Sequence, residues 1–401
     1  MKNKILIVSY SFGDAINVGG KRCMKIANFL SENGFLIYTL SSKSNTDFAN
    51  LDFRIKSETF NSKYPKVLNK NTLHFFEKIF YKIIKTYRYL TLKGSIYDKT
   101  KTSEIEIIKI VSNLIIKNGI KNIIVSGAPF SLLYFISKNF KDQVNIISDF
   151  RDPWTWGIGY GMSTMSKKRL EYEKKCEDLV LKNSNHIFCA SYDLEIKLNS
   201  KLKTYNKSSV VLINSFIDKQ KKSVNYLENN KSNKISIAHI GTIALETEKY
   251  WQTFLNLLEK SQFKIELKIY GNNNIFFYNE ALKRSNLTII FIDRLSEKML
   301  MKNLTSSDIA VLFKMDVFSN TYPTKFFNYI NTELPIISFT KKGVFSDEIE
   351  NNNIGIIFND KTKVDEFDEF IDSFKLINYN NYDFSKFEIS GQLKKIIEVL
   401  E

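Results

Sequence analysis

Short apolar runs of strand length alternate along this chain with stretches whose apolar residues recur every three or four positions. In the first half the runs place strands at 4–9, 35–40, 122–125, 145–148, 186–190 and 210–213. Helical spacing covers 20–33, 104–118, 131–139 and 167–183 between them. In the second half strands fall at 234–240, 265–270, 287–290, 309–313, 335–339 and 355–358, with helices at 251–260, 296–303 and 324–331. Alternation of strand and helix implies parallel sheets covered on both faces by helices. The polar stretch 218–233, rich in Lys, Asn and Ser, interrupts the alternation once and has the composition of a linker. The expected class is therefore α/β, two doubly wound Rossmann-like domains facing across a cleft. Their bounds are 1–217 and 234–382, and a closing helix over 383–401 is suggested by Phe387, Leu393, Ile396, Ile397 and Leu400.

Composition narrows this picture. The chain has 401 residues, enough for two domains, and its 43% hydrophobic and 25% charged residues are globular proportions. No apolar run approaches the roughly 20 residues that span a bilayer. The start, Met1-Lys2-Asn3-Lys4 before Ile5-Leu6-Ile7-Val8, has no leader-length apolar stretch, so a cytoplasmic protein is expected. Cys23, Cys176 and Cys189 show no CxxC spacing, and His74, His186 and His239 are scattered. Neither a disulfide framework nor a protein-built metal site is expected. The net charge of +15 suits an anionic partner such as a nucleotide, a nucleic acid or a membrane surface. No nucleic-acid recognition motif accompanies it.

In open parallel sheets, ligands bind beyond the carboxyl ends of the strands. Four loops there carry chemistry. After the first strand, Gly13, Asn17, Gly19, Gly20, Lys21 and Arg22 lead into a helix. Paired glycines admit close backbone approach, and a helix N-terminus favours an anion. The spacing is neither GxGxxG nor GxxxxGK[ST], which disfavours a dehydrogenase or a P-loop enzyme, and a ligand-free tight turn stays open. The second loop is Ser148-Asp149-Phe150-Arg151-Asp152-Pro153-Trp154-Thr155. Carboxylates beside Trp154 and Trp156 form the environment that takes a pyranose, with a structural Asp–Arg pair as the alternative. Asp149, Arg151 and Asp152 are the catalytic candidates, and the glycine-bearing segment 157–166 is a candidate cover for an acceptor.

The third loop is Ala238-His239-Ile240-Gly241-Thr242, whose Gly-Thr turn offers amides to an anion, with Lys249 on the following helix. His239, inside an apolar strand, suits a core histidine. The fourth is Tyr322-Pro323-Thr324-Lys325-Phe326-Phe327-Asn328-Tyr329-Ile330, followed by Leu334-Pro335-Ile336-Ile337. Pro323 fits a helix start, and Lys325 sits one turn from Asn328 and Tyr329.

The ordered set Gly19-Gly20-Lys21-Arg22, Asp149 through Trp154, Asn214-Ser215-Phe216-Ile217-Asp218, His239-Ile240-Gly241-Thr242 and Pro323-Thr324-Lys325 through Pro335-Ile336-Ile337 resembles the family 4 glycosyltransferases over about residues 2–360. The resemblance implies a GT-B fold. It also implies a nucleotide-diphosphate sugar as donor, no permanently bound cofactor and a glycan or polyprenyl-linked glycan acceptor. Bacterial cell-surface polysaccharide synthesis is the implied setting. The donor would contact Gly19, Gly20, Arg22, Gly241, Thr242, Lys249, Lys325, Asn328 and Tyr329, with Lys249 and Lys325 facing the diphosphate. Asn328 stands where the family usually has Glu, which keeps a hydrogen-bond acceptor and removes a charge. Most such enzymes retain anomeric configuration. If this chain inverts, Asp149 or Asp152 is the candidate base. A nucleotide-sugar epimerase or a non-catalytic scaffold of a polysaccharide assembly complex are the rival readings.

Residues 72–90 carry Phe76, Ile79, Phe80, Ile83, Tyr87 and Leu90 on one stripe, widened by Phe75 and Ile84, with Lys78, Lys82, Lys85 and Arg88 mostly off it. The pattern fits a basic amphipathic helix lying on an anionic membrane, or a core helix with a basic solvated face.

Overall fold

The computed structural model describes residues 3–14, 17–42, 55–70, 73–157, 159–213, 234–271, 277, 279, 283–284 and 287–400. The motif over 214–218 and the linker over 218–233 lie outside them. The chain divides into two compact units, Met1–Asn214 with Ile389–Glu401, and Ser215–Glu388.

In unit 1 the described strands are β1 (Lys4–Ser9), β2 (Leu36–Ser42), β3 (Ile55–Phe60), β4 (Asn122–Gly127), β5 (Asn145–Phe150), β6 (His186–Cys189) and β7 (Ser209–Val211). They form one sheet in the order β3-β2-β1-β4-β5-β6-β7, every pairing parallel. Helices α1 (Val18–Glu32), α2 (Phe75–Thr91), α3 (Glu104–Asn118), α4 (Phe130–Phe140), α5 (Lys167–Asn183) and α6 (Tyr192–Leu202) connect them. Ile5, Leu6, Ile7 and Val8 are all buried, because a central parallel strand is covered on both faces and needs apolar residues at every position. β3 was not foreseen. Its sequence Ile55-Lys56-Ser57-Glu58-Thr59-Phe60 has three exposed residues at the sheet edge, so apolar patterning does not mark it.

Unit 2 repeats the plan among its described residues. β8 (Ile235–Ile240), β9 (Ile265–Tyr270), β10 (Thr288–Ile292), β11 (Ile309–Phe313), β12 (Ile336–Phe339) and β13 (Gly355–Phe358) lie in the order β10-β9-β8-β11-β12-β13, again all parallel. Helices α7 (Glu248–Lys260), α8 (Glu297–Leu304), α9 (Thr324–Asn331), α10 (Val344–Asn351) and α11 (Val364–Ser373) intervene. The core is aromatic. Phe254 packs edge-on against Phe313, Phe339 and Phe367 at centroid distances of 5.5, 5.7 and 6.3 Å.

The last helix, α12 (Ile389–Ile397), is part of unit 1. Gln392 Oε1 accepts from the Ile213 amide at 3.3 Å, and Lys395 Nζ donates to the Val211 carbonyl at 2.9 Å, which ties α12 to the end of β7. Both sheets reverse winding direction, between β1 and β4 in unit 1 and between β8 and β11 in unit 2. At such a reversal the flanking loops diverge and leave a crevice at the carboxyl edge. Among the described residues no helix is long and apolar enough to cross a membrane.

Candidate functional site

In unit 1 the crevice between β1 and β4 is already partly filled by the protein itself. The Asn17 side chain caps α1, its Oδ1 accepting from the amides of Gly19 at 2.9 Å and Gly20 at 3.4 Å. Two of the amides expected to meet an anion are thus engaged. Arg151 leans across this helix start. Its Nε donates to the Gly127 carbonyl at 3.2 Å and its Nη2 to the Ala128 carbonyl, while Nη1 lies 1.2 Å from where a Cβ on Gly19 would be. Gly19 is therefore glycine so that a guanidinium can rest on it. Gly20 has a different reason, since a Cβ there would lie 2.4 Å from the carbonyl oxygens of both Ser11 and Asp14. A side chain can swing aside and a carbonyl in a tight loop cannot. Gly20→Ala is expected to destabilise unit 1 by about 1–3 kcal/mol, the usual cost of overpacking, and to do so more than Gly19→Ala. Urea melts of the two variants check the order.

The carboxylates Asp149 and Asp152 diverge. Asp149, 1% exposed at the end of β5, receives Arg22 Nη2 on Oδ1 at 2.7 Å, and Arg22 Nε on Oδ2 at 3.1 Å. Ser126 Oγ also donates to Oδ2, at 2.8 Å, and Arg22 Nη1 donates to the Ile213 carbonyl at 2.7 Å. Both charges are enclosed and their hydrogen bonds directed inward. Asp149, expected as a catalytic group, and Arg22, expected at the donor, instead hold α1 to β5 because each is the other's buried counter-ion. Asp152 is exposed in the same loop. The surrounding protein raises its carboxyl above the ordinary aspartate range, Arg151 opposes the shift and Asp149 adds to it.

Of the two tryptophans expected to form a sugar platform, one is taken up internally. Trp154 is 1% exposed, stacks on Phe130 at 4.9 Å and 6°, and donates its Nε1–H to Glu173 at 2.7 Å. Both its face and its polar handle are used internally. Trp156 stays half-buried, and its buried Nε1 has no hydrogen-bond partner among the described residues. The segment suggested as an acceptor cover turns tightly over Gly159–Thr164, with Tyr160 and Gly161 in left-handed conformations at φ +55° and +73°, and is fastened by Ser95 Oγ donating to the Tyr160 carbonyl at 2.5 Å. A recess of about 240 Å³ opens nearby, lined by Lys93, Lys101, Tyr134, Trp154, Tyr172 and Glu173 among others.

In unit 2 the reversal between β8 and β11 gathers a tighter group. β8 is followed directly by Gly241 at φ +75°, a left-handed conformation that favours glycine. A Cβ there would also lie 3.2 Å from Lys325 Cε, so the lysine stem lies across the turn. Lys325, in the first turn of α9, donates to the Thr242 carbonyl at 3.1 Å and reaches His239 Nε2 at 3.3 Å. His239 is fully buried, and its Nδ1 lies 2.9 Å from the Val311 carbonyl. Facing a carbonyl, Nδ1 must carry the proton, which leaves Nε2 as the acceptor for the Lys325 ammonium. Burial and then the Lys325 charge hold His239 well below the ordinary histidine range. Burial pushes Lys325 itself down to about 8. Among the described residues, no carboxylate is in contact with this ammonium.

Of the other residues expected at the donor, Thr242 belongs to this group through its carbonyl, and Asn328 lies half-buried one turn along α9. Lys249 does not join them. It is paired with Asp316 at 3.1 Å and Asp360 at 3.6 Å, and Lys341 joins Asp316 at 3.4 Å, so its charge is answered before any ligand arrives. Tyr329 is a correction as well. Fully buried, its hydroxyl accepts from the Ile240 amide at 2.9 Å and donates to the Val311 carbonyl at 3.3 Å, which makes it a strut between α9 and the sheet. Sequence reasoning passed over Lys314, which directly follows β11 at the same edge. It is 6% exposed, donates to the Ser319 carbonyl at 3.1 Å and stands 4.4 Å over the Phe345 ring. A lysine placed immediately after five apolar strand residues was the available signal. Among the described residues, no group of three or more His, Cys, Asp or Glu is placed to hold a metal ion.

No family model and no curated protein matches this sequence. Solved structures do match it in shape. Sucrose-phosphate synthase from Thermosynechococcus elongatus aligns over 99% of this chain and 95% of its own, at 10% identity and a TM-score of 0.60. The lipopolysaccharide outer core galactosyltransferase WaaB, in its apo form, aligns over 99% of both chains at 12% identity and a TM-score of 0.56. HepE from Anabaena, solved with UDP and glucose, aligns over 99% of both chains at 10% identity and a TM-score of 0.58. With its two parallel sheets of seven and six described strands, this chain has the GT-B fold of two Rossmann-like units.

Proposed function

We propose that this chain is a GT-B glycosyltransferase of the family 4 type, moving a sugar from a nucleotide-diphosphate sugar to a glycan or lipid-linked glycan in bacterial cell-surface polysaccharide synthesis. One observation carries the reading. Lys325 is a desolvated cation with no carboxylate partner among the described residues, set at the winding reversal of a parallel sheet over a left-handed glycine. Such a group disfavours its own charge until an anion arrives, which suits a diphosphate. As the glycosidic bond breaks, negative charge grows on the departing diphosphate, and a fixed cation there stabilises the transition state more than the ground state. Gly241 and Thr242 shape the floor, His239 orients the ammonium, and Asn328 is in place for a ribose hydroxyl. Unit 1 takes the acceptor beside Trp156, Arg151 and Asp152.

Retention of configuration is the accompanying proposal; Asp149 is sealed by Arg22, which leaves Asp152 as the candidate base if the chain inverts. WaaB, HepE and sucrose-phosphate synthase support transfer over the epimerase and scaffold alternatives.

A melting-temperature screen against UDP-, GDP- and ADP-sugars tests the reading. A cognate donor at about a hundred times its Kd stabilises the fold by about 2.7 kcal/mol. The rise is expected with one nucleotide class and is lost in Lys325→Met. A flat response across all three classes overturns the proposal.

A further inference from the structure

Helix α2 is mounted the wrong way round for a core helix. Its inward side is a sparse line of Glu77, Tyr81, Ile84 and Arg88, and of these Arg88 alone is fully buried. Arg88 Nε donates to the Ile96 carbonyl at 2.7 Å, Nη2 donates to the Asp98 carbonyl at 3.0 Å, and the guanidinium stands 5.0 Å over the Tyr64 ring. The Tyr81 and Tyr97 hydroxyls meet at 3.3 Å. From α5, Arg169 donates to the carbonyls of Tyr89, Leu92 and Gly94 at 2.7–2.9 Å and fastens the C-terminal end.

The apolar stripe points outward. Phe75 and Phe76 are each 72% exposed, Phe80 58%, Ile83 59%, Tyr87 66% and Leu90 78%. The core-helix reading of this segment therefore fails, and Arg88, expected on a solvated basic face, is an anchor. Over sixteen residues the stripe runs for about 24 Å. Water does not favour so large a contiguous apolar surface, and a fold that spends two arginines on presenting it is built to cover it with something else.

Charge selects the occupant. Lys78, Lys82 and Lys85 are exposed along one flank of the stripe, and Glu77, the one acidic residue of α2, is already paired with Lys70. A second copy of this chain packed stripe to stripe would set the same three lysines against these, with the one carboxylate of each α2 already paired. A bilayer surface with anionic headgroups offers acyl chains to the stripe and phosphates to the lysines, whose long stems reach outward to the headgroup plane.

We infer that α2 lies in the interface of an anionic membrane and holds unit 1 against it. This is independent of the donor reading. The test is flotation of the full chain with phosphatidylglycerol–phosphatidylcholine vesicles and with phosphatidylcholine vesicles, at low and high salt. Recovery is expected with the anionic vesicles, falling with salt. A Phe76→Ser/Phe80→Ser/Ile83→Ser variant is expected to lose about tenfold or more of it at an unchanged melting temperature, since these side chains support nothing inside. Lys78→Gln/Lys82→Gln/Lys85→Gln is expected to erase the preference for anionic vesicles. Equal recovery of the wild type and the serine variant, or no recovery of the wild type, overturns the inference. So does a dimer by light scattering that the serine variant dissolves while vesicles stay unbound. The nucleotide-sugar melting shift, read on the same samples, stays unchanged in both variants, so either proposal can fail without the other.

Discussion

If the proposed transfer holds, Lys325→Met is expected to lower it by about 10²–10³-fold, the loss typical when one preorganised charge-stabilising group is removed. The fall is expected in kcat as well as in donor affinity, because the diphosphate carries most negative charge after the bond has broken. The fold does not suffer. Lysine ordinarily titrates near 10.4 and Lys325 at about 8, so between those values the unfolded chain binds more protons than the folded one. Stability contributed at this site therefore rises with pH across that window, and at neutral pH the charged side chain costs stability while no ligand is bound. The methionine variant should melt no lower than the wild type at neutral pH. Donor affinity should weaken as pH rises through about 8, where the free lysine loses its proton. Near that pH the wild type should take up a proton on binding, seen in calorimetry as a heat that depends on the buffer. A methionine variant with full activity, or a wild-type affinity flat across this range, places the diphosphate elsewhere.

Asp149→Asn is expected to cost about 3–5 kcal/mol, the penalty for leaving a buried charge without its partner. Among the described residues, Arg22 is paired with one carboxylate, Asp149. Its three contacts run to the two Asp149 oxygens and the Ile213 carbonyl, and its side chain is inaccessible. In a unit of this size each kcal/mol moves the melting point by about 2–4 °C, so the transition of unit 1 should fall by roughly 6–20 °C. The double replacement Arg22→Met/Asp149→Leu should recover most of that, since an apolar pair of similar volume avoids both desolvation penalties. The unit 2 transition, and a nucleotide-sugar shift read on it, should stay in place. An Asp149→Asn protein with native melting and no transfer would return this carboxylate to the chemistry.

The strand-and-helix alternation was legible because a doubly covered parallel strand must be apolar throughout. Ile5 to Val8 and Ile309 to Phe313 therefore announce themselves without neighbours. β3 did not, since an edge strand takes its order from the partner it pairs with and not from its own side chains. Lys325 was legible for a related reason: a basic residue just past Pro323 at the start of a helix lies at a strand's carboxyl edge by connectivity alone. The counter-ions were not legible. Asp149 and Asp152 are three residues apart with the same functional group, and only packing seals the first against Arg22, 127 positions earlier, while exposing the second. Lys249 and Lys325 are likewise two lysines in the first turns of their helices, yet Asp316 and Asp360 answer one of them and, among the described residues, no carboxylate answers the other. For α2 the sequence determined the stripe and its lysines, and the tertiary structure decided which side faces out. Hydrophobic periodicity is a local property of the chain and survives without a fold, whereas exposure and charge pairing belong to atoms that meet only after folding.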